Sequence, residues 1–299
     1  MTDNLRGIVT VVISSIAYVF NDAMVKLAAS ELPIGEIIVL RGILSTGLLA
    51  IGAIVLGAWR PIRVLLTPGM ILRLIAASGA TCFIVFALSN LPLPTVTAVL
   101  QVTPLAVTAG SAFLYGERVG WRRWTAALTG FIGVLLVVRP TGTGFGSAGW
   151  IALTALIFTT VRDLSTRSID RSIPSIYIAT ASSAAIGLAG FMLMPFEVWT
   201  APSAHAWSLM SASAAFLFVG NTLIVYALRT GDLSVVAPFR YTVIPLSLVL
   251  GYLFWDDIPD LIAMFGILLV MGAGLYTLQR ERRRMATVAA SPAERTPAP

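Results

Sequence analysis

The chain has 299 residues, of which 57% are hydrophobic and only 11% are charged, and its mean hydropathy is +0.89. Soluble domains of this size carry about twice that charged fraction, so the composition excludes an ordinary soluble globule. The formal net charge of +6 would suggest nucleic acid in a soluble protein. Here the positive residues fall in short loops between apolar segments, and we expect a lipid bilayer, not nucleic acid, as partner.

Cysteine and histidine occur once each, as Cys82 and His205. This excludes disulfides and argues against thiolate metal sites and histidine-dependent catalysis. The ATP-binding pattern G-x-x-x-x-G-K-[ST] is also missing from the sequence. We therefore expect no enzyme, no catalytic residue, no metal and no cofactor.

Apolar segments long enough to cross a bilayer recur along the chain. Short connections rich in Pro and Gly separate them, and a continuously apolar pattern favours helices over a barrel. The first segment contains Asn21, Asp22 and Lys26, so we interpret it as a permanent span and not as a signal peptide. The sequence predicts an all-α membrane protein with ten transmembrane helices, over 7–29, 34–57, 70–91, 94–115, 122–139, 149–170, 174–196, 206–229, 233–255 and 259–278.

Arginine in short loops sets the orientation of a membrane protein, because such loops stay cytoplasmic during insertion. In a ten-helix topology nearly all loop arginines fall on one side, and Arg139 and Lys26 fall opposite. The expected protein is multi-pass in the cell (inner) membrane, with both termini cytoplasmic. Residues 281–299 are polar and rich in Pro and Ala, and we expect a disordered cytoplasmic tail. The arginines on the common side are Arg6, Arg60, Arg63, Arg73, Arg118, Arg122, Arg123, Arg167, Arg171, Arg229, Arg280, Arg282, Arg283 and Arg284.

The sequence is similar to itself at an offset of 141 positions, as between Asp22 and Asp163 or Pro104 and Pro245. The same offset relates Lys26, Pro33, Leu105, Gly110 and Phe113 to Arg167, Pro174, Leu246, Gly251 and Phe254. It predicts two five-helix repeats, over 1–140 and 147–280. Because five is odd, the second repeat enters the membrane from the opposite side, which gives an inverted repeat and favours alternating access around a site near the midplane.

These features resemble the EamA-type proteins of the drug/metabolite transporter superfamily, over residues 5–278. In the second half, Asp256-Asp257-Ile258 stands where the first half has Gly-Glu-Arg, a departure that lies in a loop. The resemblance implies ten helices in two inverted halves and transport of a metabolite, without specifying which. It rests on the segments Asn21-Asp22-Ala23-Met24-Val25-Lys26, Thr103-Pro104-Leu105, Tyr115-Gly116-Glu117-Arg118, Pro245-Leu246 and Phe254-Trp255-Asp256-Asp257.

Charged residues inside transmembrane helices are costly and therefore functional candidates. Asp22 and Lys26 are spaced i, i+4 on the first helix, and Asp163 and Arg167 repeat this spacing on the sixth. We expect the two pairs to contribute to gates at opposite faces, or to ion coupling. The alternative is a static pair that neutralises charge near a helix end.

Arg41 and Arg240 lie deeper in their helices, without an acid within four positions. A guanidinium that faces a cavity binds carboxylate or phosphate, so the sequence favours an anionic or zwitterionic substrate. The alternative for Arg41 is a structural ion pair with Asp22 or Glu36.

Proline inside a helix removes a donor and frees the carbonyl four residues earlier. Pro104 and Pro245 are therefore expected to kink the fourth and ninth helices beside the cavity, or only to shape packing. Gln101, Arg240 and Tyr241 lie within one turn of these kinks and are the preferred substrate contacts.

Four further polar residues, Asn21, Asn221, Tyr18 and Arg162, are weaker candidates, because such residues also make bonds between helices. Gly130, Gly133, Gly266, Gly272 and Gly274 indicate close helix packing or a homodimer face.

The sequence favours a secondary transporter of a small metabolite, such as an amino acid, a vitamin or a nucleotide-like molecule. The main alternative is a multidrug or toxic-cation exporter. An intramembrane protease would need two carboxylates that share a proton, and a channel would need a ring of like charges or a carbonyl filter, so both are distant alternatives.

Overall fold

The computed structural model describes residues 3–116, 120–138, 147–170, 172–230 and 236–290. In these ranges all regular structure is helical. The α-helices are α1 Asp3–Ala28, α2 Ile34–Val55, α3 Pro68–Asn90, α4 Leu93–Leu100, α5 Thr103–Tyr115, α6 Trp121–Val138, α7 Ser147–Thr166, α8 Ser175–Phe191, α9 Ala204–Thr230, α10 Val243–Trp255 and α11 Leu261–Ala290. Short 3-10 helices occupy Ile62–Leu66, Met194–Phe196 and Ala237–Thr242.

Eight helical segments within the described residues are long and apolar enough to cross a membrane. They include α4 and α5 together as one segment, Leu93–Tyr115. Two expected spans are not among the eight. In α7, Arg162 and Asp163 lower the hydropathy, and the segment that contains α10 is divided between a 3-10 helix and a 13-residue α-helix.

Several helices begin at the prolines that marked the expected boundaries. Pro33, Pro92 and Pro174 directly precede α2, α4 and α8, and Pro68 is the first residue of α3. A proline fits here because the first N–H groups of a helix have no partner within it.

The helices pack in four main pairs: α1 against α9, α3 against α7, α2 against α8, and α6 against α11. Glycines allow two of these pairs to approach at backbone distance. A Cβ on Gly133 would lie 2.7 Å from the carbonyl oxygen of Gly266, and Gly42 of α2 faces the backbone of Gly187 in α8. Gly133 and Gly266 thus serve close packing within the chain, whereas a Cβ on Gly272 would meet nothing within 4 Å.

The expected helix 94–115 is two helices. Gln101 and Val102 lie between α4 and α5, and the amide of Val102 bonds to the carbonyl of Val99 in a 3-10 turn. The hydroxyl of Thr103 donates to the carbonyl oxygen of Leu100 at 2.6 Å, which is the acceptor that Pro104 leaves without its helical partner. The expected helix 233–255 is likewise a 3-10 helix, Ala237–Thr242, followed by α10.

At the C-terminal end the last helix continues to Ala290. The expectation that the chain becomes disordered after residue 280 is therefore wrong for residues 281–290, which are rich in the strong helix formers Ala and Arg. Several expectations fall outside the described residues: those on the tail 291–299, on the boundary between the proposed repeats at 139–146, and on Glu117, Arg118, Arg139 and Arg171.

The contact between α2 and α8 provides a test of the packing. We expect Gly42→Ala to lower the free energy of unfolding by about 1–3 kcal/mol, because its methyl group would overlap the backbone of Gly187. Gly47→Ala is the matched control in the same helix, where a Cβ meets nothing within 4 Å, and it should raise helix stability by up to about 1 kcal/mol. Thermal unfolding in detergent compares the two. Equal melting temperatures would contradict the packing.

Helices α5 and α10 both end in a left-handed residue, Gly116 with φ 64° and Asp256 with φ 51°. Among the described residues Asp256 is the one non-glycine with positive φ. Glycine adopts this conformation without a Cβ penalty, so we expect Asp256→Gly to raise the free energy of unfolding by about 0.5–1 kcal/mol. Gly116→Ala should lower it. A lower melting temperature for Asp256→Gly would show that its carboxylate stabilises the turn.

Candidate functional site

One face of α1 carries polar side chains that bond to α9. Ser14 donates to the carbonyl of Gly220, and Tyr18 donates to Oδ1 of Asn221, each at 2.8 Å. A turn further along α1, Ser213 of α9 donates to Oδ1 of Asn21, also at 2.8 Å. The spacing of four and three residues along α1 places these groups on one side of the helix. Tyr18, Asn21 and Asn221 thus contribute bonds between helices.

Asp22 lies beside this seam and is half-buried. Its Oδ1 accepts a hydrogen bond from Nδ2 of Asn21 at 2.8 Å, and it interacts electrostatically with Arg41 of α2. The two side chains form no ion pair within 4 Å. The charged partner of Arg41 is Asp22, and Oε2 of Glu36 is buried without a hydrogen-bond partner.

Lys26 does not pair with Asp22, four residues earlier on the same helix. Its Nζ donates to the carbonyl oxygen of Leu91 at 2.6 Å and lies 3.6 Å from Oδ2 of Asp257. The ammonium also lies 5.1 Å from the ring centroid of Trp255. Because the two charged side chains are only 12% and 21% exposed, this contact joins the ends of α1, α3 and α10 in a mostly water-excluded position. We call Lys26, Leu91, Trp255 and Asp257 the lysine latch.

Asp163 of α7 pairs with its neighbour Arg162, whose Nε and Nη2 both lie 2.9 Å from Oδ1 of the carboxylate. Arg73 of α3 crosses to the same turn of α7, where it donates to the carbonyl of Arg162 at 3.4 Å and to the hydroxyl of Thr166. Arg167 is exposed at the end of α7. The sequence reasoning treated Arg73 as a loop arginine, and its position four residues inside an expected span was the signal that could have identified it.

The two interrupted segments meet. Nε2 of Gln101, between α4 and α5, donates to the backbone carbonyl of Arg240 in the 3-10 helix at 3.4 Å. The guanidinium of Arg240 is exposed, whereas Tyr241 is only 4% exposed and its hydroxyl fills the space beside Gly274 of α11. Tyr241 therefore packs against the last helix, and Gln101 and Arg240 remain the accessible residues of this group.

Tyr18 of α1 has electrostatic interactions with charged candidate residues of its own helix and of two other segments. It interacts electrostatically with Arg240 of the 3-10 helix, Arg162 of α7 and Asp22 of its own helix. Arg41 joins through Asp22. These interactions connect residues of four segments, α1, α2, α7 and the 3-10 helix, while Lys26 and Arg167 lie at helix ends.

A further contact, which the sequence reasoning missed, connects the loop after α1 to the start of α9. The carboxylate of Glu31 accepts a hydrogen bond from Ser203 at 2.9 Å and lies 2.5 Å from Nδ1 of His205. The hydrogen bond with His205, and after it the one from Ser203, holds the pKa of the Glu31 carboxylate below its usual value. Both residues looked like isolated loop positions in the sequence.

Comparison with known proteins agrees with this architecture. Residues 5–139 match the EamA-like transporter family. A protein of known crystal structure aligns with 94% of this chain and 98% of its own, with a TM-score of 0.62 at 18% identity, which supports the fold alone.

Three relatives have named activities. The pseudopaline exporter CntI of Pseudomonas aeruginosa is 25% identical over 276 residues, covering 89% of this chain and 94% of its own. A riboflavin transporter of Rhizobium johnstonii is 25% identical, covering 70% and 69%. An S-adenosylmethionine uptake transporter of Rickettsia prowazekii is 23% identical, covering 68% of each chain.

The eight long apolar helices define a multi-pass membrane protein. The first half of the chain matches the EamA-like transporter family, and the chain is similar along most of its length to proteins that are named as small-molecule transporters.

The lysine latch can be measured by a double-mutant cycle. We expect Lys26→Met and Asp257→Asn each to lower the free energy of unfolding, Lys26→Met by about 2–4 kcal/mol because it leaves a poorly solvated carboxylate unpaired. The double variant should lose less than the sum, with a coupling of about 1–3 kcal/mol. Additive losses in thermal or denaturant unfolding would show that the 3.6 Å contact is not an energetic pair.

Proposed function

We propose that this protein is a secondary transporter that moves a small anionic or zwitterionic metabolite across the cell (inner) membrane by alternating access. The observation that carries the proposal is that the two interrupted segments meet, because Nε2 of Gln101 donates to the carbonyl of Arg240 while Arg240 itself stays exposed. Guanidinium groups in such a position bind carboxylates. Amino acids, vitamins and nucleotide-like molecules all offer that chemistry.

The packing pattern supports the two inverted repeats, of five spans each, that alternating access requires. A shift of 141 positions carries the bounds of α1, α2 and α3 to within about five residues of those of α7, α8 and α9, and the start of α6 to within about one residue of the start of α11. The same shift relates α1 to α7 and α3 to α9. The contact of α1 with α9 is therefore equivalent to that of α7 with α3, and both are among the main helix contacts. The broken segment α4–α5 corresponds in the same way to the 3-10 helix and α10.

In this proposal the lysine latch is the outer gate. Lys26 connects α1 to the ends of α3 and α10, and opening that face requires its bonds to Leu91 and Asp257 to break. Arg167, at the equivalent position of the second repeat, would act at the inner face together with Asp163. Both termini are cytoplasmic in this topology, as the loop arginines indicate.

The relatives support a small-molecule substrate, and by name they include an exporter, an uptake transporter and a transporter whose name gives no direction. The direction of transport is therefore a question for experiment. A multidrug or toxic-cation exporter is the second candidate, because S-adenosylmethionine is a cation and Asp22 or Asp163 could bind one.

A thermal-stability screen of the purified protein tests the proposal, since a ligand at 100 times its dissociation constant stabilises the native state by about 2.7 kcal/mol. We expect stabilisation by an amino acid, vitamin or nucleotide derivative, and its loss in Arg240→Gln and in Gln101→Ala. Arg60→Gln is the matched control, because Arg60 bonds to the adjacent Trp59 carbonyl away from the site. Flux of the same ligand into liposomes should follow.

The opposite outcome is equally specific. If only lipophilic cations stabilise the protein and Arg240→Gln leaves that effect intact, the anion site is wrong. The second candidate, with Asp22 or Asp163 as the cation partner, would then replace it.

A further inference from the structure

Two connections between membrane-spanning helices each contain a short 3-10 helix, and they differ in charge. Residues 56–67 join α2 to α3 and contain Arg60 and Arg63 without an acid. Residues 192–203 join α8 to α9 and contain Glu197 without Lys or Arg. We call them the basic connection and the acidic connection.

The two connections lie at opposite ends of the helix pair α2 and α8. The start of α2 meets the end of α8, where a Cβ on Gly35 would lie 3.0 Å from the carbonyl oxygen of Gly190. Towards the other ends of these helices, a Cβ on Gly52 would lie 3.0 Å from the side chain of Ile176. The two helices are therefore antiparallel, and the connections that follow them face different leaflets of a bilayer.

The basic connection is held against the protein by one side. Its residues Val64 and Leu65 pack on a small core that is formed by Met70, Ile169 and Ile178. This contact fixes the short 3-10 helix Ile62–Leu66 against the ends of the neighbouring helices.

The other side of the basic connection is apolar and uncovered. Ile62 and Leu66 are 73% and 69% exposed. Trp59 is 54% exposed, although its ring meets that of Tyr177 in α8 with 5.8 Å between the centroids. Because both ends of the connection are attached to membrane spans, these side chains lie at the boundary between acyl chains and headgroups, where tryptophan is enriched.

The arginines beside these apolar side chains carry charge that the protein does not neutralise. The guanidinium of Arg60 bonds to the carbonyl of Trp59 at 3.0 Å, and Arg63 is exposed. In the part of the chain that the structure describes, no carboxylate lies within 4 Å of either arginine. In the acidic connection, by contrast, the carboxylate of Glu197 already accepts a hydrogen bond from the amide of Gly35 at 2.8 Å.

We propose that the basic connection binds an anionic phospholipid. Arg60 and Arg63 supply the positive charge for its headgroup, and Trp59, Ile62 and Leu66 contact its acyl chains. Guanidinium groups bind phosphate oxygens through paired N–H donors, and each basic residue near an anionic membrane surface strengthens binding. A free phosphate would leave the apolar side chains uncovered, so the combination of charge and apolar surface favours a lipid. This inference concerns the lipid-facing surface and does not depend on the transported substrate.

Native mass spectrometry of the detergent-purified protein tests the inference with two lipids that have the same acyl chains. Dioleoyl phosphatidylglycerol has a net negative charge, whereas dioleoyl phosphatidylcholine is a zwitterion. We expect the first phosphatidylglycerol to bind at least about tenfold more tightly than the first phosphatidylcholine, because two arginines contribute about fivefold each.

Single variants show whether the preference comes from this connection. Arg63→Gln should lower the affinity ratio of the two lipids about fivefold, whereas Arg63→Lys, which keeps the charge, should leave it within about twofold. Arg280→Gln is the matched control, because it removes one positive charge from α11, whose contacts are with α6, α4 and the 3-10 helix Ala237–Thr242. It should leave the ratio within about twofold. Since Arg63 is exposed, all these variants should melt as the wild type does.

Four results would overturn the inference. Equal affinity for the two lipids would show that the headgroup charge is not recognised. An equal effect of Arg63→Gln and Arg280→Gln would assign the preference to the net charge of the protein. Displacement of phosphatidylglycerol by an equal concentration of glycerol 3-phosphate would assign the arginines to a free phosphate. A dimer that Ile62→Ser converts to monomers would show that a second copy covers the apolar side chains. The transport proposal is tested separately by the ligand screen and stands or falls independently of these outcomes.

Discussion

The structure depends on one constraint, the need to pair the polar groups of the backbone. Inside a bilayer every amide and carbonyl needs a partner within the protein, and regular helices satisfy this requirement almost everywhere in the described residues. Where the helices are interrupted, side chains supply the missing bonds: Thr103 covers the carbonyl of Leu100, and Gln101 covers that of Arg240. Non-helical backbone at membrane depth is tolerated only where it is buried in protein or lines a cavity, which is the reason to propose a site at the breaks.

The charged residues obey a related rule with a different outcome. The spacing of Asp22 and Lys26 allowed a pair along α1, yet Lys26 pairs with Asp257 after α10, and Asp22 accepts its hydrogen bond from the neighbouring Asn21. A bond across the bundle secures the position of two helices, whereas a bond along one helix secures none. An i, i+4 spacing therefore gives the face of a charged residue but not its partner.

The helices and their boundaries could be predicted because hydrophobic length and proline positions are local properties of the sequence. Gln101 and Arg240 could be placed together because two prolines at equivalent positions predicted two breaks. Three features could be found only in the three-dimensional structure. Tyr241 stood beside a proline but turns towards Gly274, Arg73 reaches α7 from a helix end, and Glu31 finds His205 far along the chain. Each depends on how one helix is rotated against another, which no single segment encodes.

The glycine contacts suggest how a rigid frame and a mobile part can coexist in the proposed transporter. Gly42 with Gly187, and Gly133 with Gly266, bring α2 onto α8 and α6 onto α11 at backbone distance, so small shifts there meet hard contacts. Apart from Gly35 and Arg41 of α2, the charged and polar contacts between segments lie on the other helices, α1, α3, α7, α9 and the broken segments. There, hydrogen bonds and ion pairs can exchange partners without loss of packing. Under the proposed two-fold relation, α2 is equivalent to α8 and α6 to α11, so each glycine-packed pair consists of two equivalent helices. The polar pair α1 and α9 is equivalent to the polar pair α7 and α3. Motion between two similar conformations would therefore use the polar pairs, while the glycine-packed pairs hold the two halves together.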